Sequence, residues 1–240
     1  MRPVLLSTLG VVAIGAIVFA NAAEPEKVLG KSTSQVENLT PIDIRLPGAF
    51  FGGTPLNYEN EHFEGSIFAP RPPFLAPKGA MIISANKPVT SSAHGTVFGK
   101  FSMITDGEKG YENDYLTELG NGPQWIQIDL GQVSEIYAVI VWHFHQGDRV
   151  YFDFAVRTAD DADFKINVTT LYNNDYDNSS GIGIGNDREY IEKAEGRLIP
   201  AFKEGKATVG RCVRLYSNGN TTDQANHYVE VEVWGKPISK

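Results

Sequence analysis

Residues 136–142 read Ile-Tyr-Ala-Val-Ile-Val-Trp, a run without a charge, a glycine or a proline. A short apolar run that is rich in β-branched and aromatic side chains is typical of a strand buried on both faces. The nearby stretch 125–130 alternates instead, so that Ile126, Ile128 and Leu130 fall on one side of an extended chain. Both stretches predict strands, and the first one needs cover on two sides.

Alternating apolar residues predict further strands at 151–156, 213–216 and 228–234. Clusters of Gly and Asn, such as 218–220, separate the predicted strands with turns. Helical periodicity is scarce, and the segment 187–198 is the best candidate for one or two helical turns. Short strands at this spacing favour an all-β sandwich or barrel.

The first 22 residues have the layout of a secretory signal peptide. Arg2 supplies a positive start, residues 4–19 are almost wholly apolar or small, and Ala20-Asn21-Ala22 offers a cleavage site. The alternative is an uncleaved N-terminal anchor, for which the apolar run is rather short. Cleavage predicts a protein that is secreted, periplasmic or on the cell surface, with no stable membrane span.

Residues 23–78 are predicted to form a linker and an irregular arm ahead of one β domain at 79–240. The arm is rich in Pro, Gly and aromatic residues, as in 46–53 and 70–74, so it cannot form long helices. Its Phe and Ile residues are expected to pack on the main domain.

The formal net charge of the 240 residues is -8. Such an acidic chain repels phosphate backbones, which argues against a nucleic-acid partner. The same charge suits cations such as calcium, which prefer oxygen ligands.

Cys212 is the only cysteine, so no intrachain disulfide can form. It lies in the alternating stretch 211–216, among the apolar positions. This placement favours a buried structural thiol over a reactive nucleophile.

Four blocks of sequence occur in the order and spacing of a known family. They are Asn86–Ser92, Ile104–Gly107, Trp125–Gly131 followed by Ile136, and Arg211–Leu215 followed by Glu230–Gly235. Over residues 79–236 the chain resembles the discoidin, or coagulation-factor type C, domain of the galactose-binding-like sandwiches. The resemblance implies a discoidin-like antiparallel β-sandwich of the jelly-roll type, similar to bacterial carbohydrate-binding modules.

Two features depart from that family. Many animal members close the domain with a disulfide, which this chain cannot form. The insert at 173–196 is long, and its loops do not align with a particular sugar-binding member. The identity of a ligand therefore does not transfer.

The resemblance also implies a structural calcium site near the sandwich edge. Its acidic ligands would be Asp106 and Glu230, with a backbone carbonyl of Lys100 or Thr105 nearby. Calcium accepts such a mixture of carboxylate and carbonyl oxygens. The alternative is that Asp106 caps an Asp-Gly turn and Glu230 is an outward strand residue.

A second acidic candidate is the loop at 175–187. Asp175, Asp177 and Asn178 resemble the oxygen spacing of a calcium loop. The loop lacks the bidentate Glu at the spacing that an EF-hand requires, which favours an ordinary surface loop.

Polar and aromatic residues are densest directly after the predicted strand 136–142, where loops at one end of a sandwich bind ligands. The candidate ligand-binding residues there are Trp142, His143, His145, Asp148 and Arg149, with Tyr151 close by. His143 and His145 share one side of an extended chain, so they could instead bind a transition metal. The alternative is that Trp142 belongs to the core and the histidines are merely exposed.

The amide-rich loop 217–227 could reach the same end of the sandwich. Asn218, Asn226 and His227 are its candidate ligand-binding residues. Amide side chains donate and accept hydrogen bonds, which suits sugar hydroxyls, although turn formation explains the same residues.

Three functions remain open. The first is an exported, non-catalytic module that binds a carbohydrate or glycoconjugate. The second is a surface adhesion or protein-interaction module that docks a partner through the arm at 41–78. The third is a metal-dependent hydrolase that uses His143 and His145, although no catalytic signature accompanies them.

Overall fold

The computed structural model describes residues 38–50, 56–65 and 69–238. The chain divides into two compact units, Met1–Ser32 and Thr33–Lys240, and the described residues all belong to the second unit. The predicted signal peptide, the linker up to residue 37 and residues 51–55 and 66–68 of the arm lie outside the described ranges. Within those ranges, no helix has the length and apolar character to span a membrane.

The described chain is built from antiparallel strands, which confirms the all-β prediction. The strands are β1 Leu39–Pro41, β2 Leu75–Pro77, β3 Met81–Ile82, β4 Val89–Ser91, β5 Thr117–Leu119, β6 Gln124–Trp142, β7 Ala155–Ala159, β8 Thr169–Asn173, β9 Arg197–Pro200, β10 Phe202–Lys203, β11 Lys206–Ser217, β12 Asn226–Tyr228 and β13 Glu230–Pro237. Two short 3₁₀ helices, Phe101–Thr105 and Asn113–Tyr115, precede β5.

Strand β6 joins the two layers of the sandwich. Its first part pairs with β4 and β11, and its second part, from Ser134, pairs with β13 and β9 and, at residues 134–136, with the beginning of β11. Between the two parts, the pairing register with β11 shifts, because four residues of β6, 130–133, lie opposite the single residue Arg211 of β11. Gly131 has a φ of 87° at this point. This irregularity lets one strand bend from one layer into the other. The two stretches predicted as separate strands are therefore one bent strand.

The space between the layers is filled by the alternating residues. Ile126, Ile128 and Leu130 all lie in this inner core, as the alternation predicted. Val139 and Val141 meet them from the second half of β6, together with apolar residues of β11 and β13. Burial of these side chains is the main favourable term in the stability of the sandwich.

The other face of the second layer is buried as well. Ala138, Ile140 and Trp142 of β6 form an outer cluster with Trp234 and Val229. The arm covers this cluster with apolar side chains, namely Ile42, Ile44 and Phe74. Residues 136–142 are thus buried on both sides, which explains why the run is continuous rather than alternating.

Three predicted elements differ in the structure. The segment 187–198 is not helical: it is irregular up to a turn at 194–195, and then β9 begins. The strand predicted at 151–156 begins only at Ala155, because residues 150–154 are held by backbone bonds to the loop 218–221 and to Asn174. The strand predicted at 228–234 is interrupted at Val229.

Cys212 lies inside the first layer. It stands in β11 between Asp129 of β6 and Ala159 of β7, and it is fully buried. Burial, with a smaller contribution from the charge of Asp129, raises the pKa of the thiol to about 11. A buried thiol that keeps its proton is a structural residue, as the sequence predicted.

Candidate functional site

Several loops and short strands meet at one end of the sandwich. Strand β12 pairs with β5, which sets His227 opposite Glu118. Phe98 forms an isolated antiparallel bridge to Glu118 on the other edge of β5. The segment that follows β6 reaches the same place, because Tyr151 bridges to Asn220 and Val150 bonds to Thr221. We call Phe98, Glu118, Arg149, Asp223 and His227 the loop-end cluster.

Arg149 and Asp223 form the charged part of the loop-end cluster. The Nη1 of Arg149 lies 3.0 Å from Oδ2 of Asp223, and its guanidinium stacks over Phe144 at 5.0 Å. The arginine side chain is 13% exposed and the aspartate side chain is 41% exposed. Asn220 fixes the aspartate by donating to its Oδ1 at 2.8 Å. A guanidinium fork and a carboxylate thus stand together within reach of solvent.

His227 is the buried centre of the loop-end cluster. Its Nδ1 lies 3.0 Å from the hydroxyl of Tyr151, and its Nε2 lies 3.6 Å from Oε2 of Glu118. Burial lowers the pKa of His227 to about 4, so the ring is neutral at pH 7. Burial also raises the pKa of Tyr151, so the phenol keeps its proton and can donate it to Nδ1. The remaining Nε2–H then faces Glu118.

The fifth member of the loop-end cluster, Phe98, is an exposed aromatic residue. Phe98 is 46% exposed, and its neighbour Val97 is also exposed. Sequence reasoning missed this ring. The available signal was the stretch Gly95–Gly99, in which two glycines bracket Val97 and Phe98 as at the tip of a loop. A Cβ at Gly99 would overlap the carbonyl oxygen of Leu116, and the backbone φ there is 73°, so the glycine fixes how the loop meets β5.

Two of the predicted ligand-binding residues lie in the interior. Trp142 is fully buried, and its indole N–H donates to the carbonyl of Ala194 at 2.9 Å. His143 is 0% exposed, stacks on Tyr151 with 4.2 Å between ring centres, and has its Nδ1 2.9 Å from Oε2 of Glu192. The structure therefore does not present either ring to a ligand in solvent.

His145 is also buried, and it turns to another partner. Its Nε2 donates to the carbonyl of Lys109 at 3.1 Å. Within the described ranges, no group of three metal-ligating side chains includes His143 or His145. The residues whose ligand atoms do lie within 4.8 Å of one another there are Asp153, Asp175 and Asp177.

Three further predicted ligand-binding residues, Asp148, Asn218 and Asn226, hold the loops in place through hydrogen bonds. Asp148 is exposed and accepts a hydrogen bond from the backbone of Leu56 in the arm at 3.1 Å. Asn218 donates to Oδ2 of Asp153 at 2.8 Å. Asn226 is buried and donates to the carbonyls of Gly120 and Gly122. These contacts explain the three residues as loop anchors beside the loop-end cluster.

The two predicted calcium ligands differ in environment. Asp106 is exposed, and its Oδ1 accepts from the backbone of Glu108 at 2.9 Å, which is the turn cap considered above. Glu230 is 1% exposed, so the alternative of an outward strand residue is wrong for it. Its Oε2 accepts from the backbone N–H of Gly107 at 3.1 Å. Burial, followed by the charges of Glu232 and Asp106, raises its pKa to about 9.

The donor set around Glu230 suits a hard cation in part. A buried carboxyl next to two further carboxylates would be stabilised by a divalent ion. Lys109 already supplies one positive charge in this region, where it pairs with Glu232. The carbonyls of Lys100 and Thr105 accept hydrogen bonds from Thr117 and Asn86. The chemistry therefore fits at Asp106 and Glu230, and the two carbonyls are engaged elsewhere.

A comparison with protein families finds one match. Residues 103–197 match the family model described as a NedA-like, galactose-binding domain of the F5/F8 type C group. The matched residues lie inside the range 79–236, for which the sequence blocks predicted a discoidin resemblance. No curated protein matches the chain.

Solved structures similar to this chain include three sugar-binding modules. One is the CBM32 of AlyQ in complex with 4,5-unsaturated mannuronic acid, with 18% identity, 61% of this chain and 92% of that chain covered, and a TM-score of 0.42. Another is chitosan-binding module 1 from a chitosanase/glucanase of Paenibacillus sp. IK-5, with 19% identity, coverage of 65% and 99%, and a TM-score of 0.41. The third is CpGH89CBM32-4 of Clostridium perfringens in complex with glcNAc-alpha-1,4-galactose, with 18% identity, coverage of 66% and 96%, and a TM-score of 0.44.

The family match and the strand pairing agree on the nature of this chain. The matched segment contains all of β6, which joins the two layers, and the loop that places Arg149. The chain is a discoidin-like antiparallel β-sandwich, and its segment 103–197 is similar to the NedA-like galactose-binding domains of the F5/F8 type C group.

Proposed function

We propose that this protein is a non-catalytic carbohydrate-binding module and that the loop-end cluster is its ligand site. The observation that supports the proposal most is that the Arg149–Asp223 pair and the His227–Glu118 contact lie on neighbouring loops and strands, with the exposed Phe98 joined to Glu118 by a backbone bridge. A sugar offers hydroxyls to donors and acceptors and an apolar ring face to an aromatic side chain. The cluster supplies all three kinds of partner on rigid loop anchors.

The placement of the histidines weighs against the hydrolase alternative. A general base or a metal-bound nucleophile has to reach the bond that it cleaves. His143 and His145 are enclosed, and each ring is already held by Glu192 or by the carbonyl of Lys109. We therefore favour binding without catalysis.

The packing of the arm weighs against the alternative in which the arm at 41–78 docks a partner protein. Ile42, Ile44 and Phe74 lie on the outer cluster of the domain itself. These side chains are therefore engaged within the chain rather than presented to a partner. We place the partner of this protein at the loop end and expect it to be a carbohydrate or a glycoconjugate.

The test is a glycan-array screen of the purified protein, followed by titration of the best ligand. Arg149→Gln and Asp223→Asn should each weaken binding at least tenfold, because each removes a charged hydrogen-bonding partner from the site (about 1.5–3 kcal/mol). Arg45→Gln, which changes an exposed arginine of the arm, is the matched control and should bind like the wild type. Wild-type affinity in both loop-end variants would contradict the assignment of the site.

We also propose that calcium binds at Asp106 and Glu230 and stabilises the fold without entering the ligand site. The support is the buried, raised-pKa carboxyl of Glu230 next to a second, exposed carboxylate. Calcium should raise the thermal unfolding midpoint of the wild type and leave Glu230→Gln unchanged. Equal midpoints of the wild type with and without calcium would count against the site.

We propose, finally, that the protein is exported and that residues 1–22 are removed. The proposal rests on the layout of the N-terminal sequence alone. N-terminal sequencing of protein recovered from outside the cytoplasm should begin at or close to residue 23. An intact Met1 on that protein would contradict cleavage.

A further inference from the structure

Glu192, in the long insert at 173–196, contacts both ends of the loop that follows β6. Its backbone N–H donates to the carbonyl of Arg149 at 2.7 Å. Its carboxylate oxygen Oε2 lies 2.9 Å from Nδ1 of His143. We call residues 143–149 the β6 loop. A single residue of the insert thus holds the first and the last residue of this loop.

The contact between Glu192 and His143 is enclosed. The two side chains are 1% and 0% exposed. The hydroxyl of Tyr190 lies 3.4 Å from the same Nδ1, and the imidazole stacks on Tyr151 with 4.2 Å between ring centres. Any other arrangement would leave a buried charged or polar group without a partner, so the carboxylate holds the imidazole in one orientation.

Two members of the loop-end cluster are connected to Glu192. Arg149 is held through its own carbonyl. Tyr151, on which His143 stacks, carries the hydroxyl that lies 3.0 Å from Nδ1 of His227. Glu192 therefore contacts the backbone of Arg149 directly, and it is linked to His227 through two intervening rings.

The insert is fixed close to Glu192 by two further contacts. On one side of it in sequence, Glu189 forms an isolated parallel bridge to Phe63 of the arm. On the other side, the carbonyl of Ala194 accepts the indole N–H of Trp142 at 2.9 Å. The residue that holds the β6 loop is therefore itself held at two nearby points, which makes it a rigid support.

We infer that Glu192 is a positioning residue of the loop-end cluster, which fixes Arg149 for a ligand without touching that ligand. Glu192 is enclosed, so its effect on binding passes through the β6 loop. A guanidinium that is already in place loses less conformational freedom on binding than one on a mobile loop. The inference gives the insert a role in binding, and it rests on the function proposed for the loop-end cluster.

The test compares two changes of the buried pair. Glu192→Gln keeps an oxygen acceptor for the imidazole and should bind within about twofold of the wild type. His143→Phe combined with Glu192→Leu replaces the pair by apolar side chains, which an interior often tolerates, and removes the contact that holds the β6 loop. This double variant should keep its thermal unfolding midpoint within about 5 °C and bind at least fivefold more weakly.

Two readouts follow the loop and the ligand separately. Backbone ¹⁵N order parameters of Asp148 and Arg149 need no ligand, and they should be about 0.85 in the wild type and in Glu192→Gln and below about 0.6 in the double variant. Titration with galactose in the same spectra gives the affinities. Val213→Ala, which removes buried packing in β11, is the control for lost stability and should change neither readout.

A second apolar variant guards against a double variant that does not fold. Glu192→Met removes the carboxylate and leaves the hydroxyl of Tyr190 beside His143. The same loss of order and affinity is expected. In the Arg149→Gln background, either apolar variant should weaken binding by less than about twofold further, because its effect acts through Arg149.

The failure of the inference differs from the failure of the proposed function. Folded apolar variants with the order parameters and the galactose affinity of the wild type would overturn the inference. The proposed function would stand in that case if Arg149→Gln still weakened binding. An equal loss of affinity in Glu192→Gln and in the double variant would also overturn it. If the wild type does not bind galactose, the order parameters alone decide whether Glu192 positions Arg149.

Discussion

At the scale of single residues, the residue type does not determine whether a side chain is buried or exposed; its surroundings in the fold do. The sequence predicts Glu230 as a calcium ligand or as an outward strand residue. The alternating pattern of a strand does not by itself decide whether its side chain points inward or outward. Only the packing of β13 against β6 and the 3₁₀ helix region decides that it is enclosed. The same holds for His143, which reads as a loop histidine in sequence and stacks inside the sandwich in the structure.

The raised pKa of Glu230 predicts a pH dependence of stability. The folded carboxyl keeps its proton up to a pH of about 9, whereas the unfolded chain releases it near 4.5. The stabilising contribution of this group is therefore complete below pH 4.5 and is lost as the pH rises toward 9. Without calcium, Glu230→Gln should be more stable than the wild type at pH 8, by about 1–3 kcal/mol, and equal to it at pH 4.

Urea unfolding at both pH values, in the presence of a chelator, measures this difference. Glu108→Gln changes an exposed carboxyl close by in sequence and serves as the control. If calcium binds at Glu230, its addition at pH 8 should reverse the order and make the wild type the more stable protein. A glutamine variant that is less stable than the wild type at pH 8 without calcium would contradict the raised pKa.

At the scale of elements, the sequence predicted a strand and its buried face correctly where the apolar pattern within that strand was sufficient. The alternation of Ile126, Ile128 and Leu130 correctly gives the inner face of β6, and the run 136–142 correctly gives a doubly covered strand. The fusion of both stretches into one strand was not predictable, because the bend at Gly131 depends on the pairing of β11. The helix expected at 187–198 fails for a similar reason, since long-range contacts with the arm hold that segment.

The arm is a structural element of the domain, and this can be measured. Phe74 and Ile44 pack on the outer cluster, whereas Leu46 of the same arm is 50% exposed. Phe74→Ala and Ile44→Ala should each lower the free energy of unfolding by about 1–3 kcal/mol, because both side chains are partly buried. Leu46→Ala should change it by less than about 0.5 kcal/mol. Denaturant unfolding of the three variants tests this, and equal effects at all three positions would show that the arm does not cover the cluster.

At the scale of the whole molecule, the loop-end cluster and the seat of the arm arise from parts that are distant in sequence. Arg149 and Asp223 are 74 residues apart, and Arg71 meets Gly196 across 125 residues. A local pattern cannot predict such meetings, because the sandwich topology and the path of the arm decide them. The sequence left open that the loops after β6 and before β12 share one end, and it named Arg149 and His227, two of the five residues of the loop-end cluster.

The buried thiol of Cys212 can be used to measure how often the sandwich opens. A thiol-specific reagent can reach this sulfur only when β11 separates from β6 or β7, so the rate of modification counts opening events of the central sheet. Because the chain has no other cysteine, every modified molecule has reacted at that one position. Refolding likewise needs no oxidant, so the opening of the sheet can be followed under reducing and oxidising conditions alike.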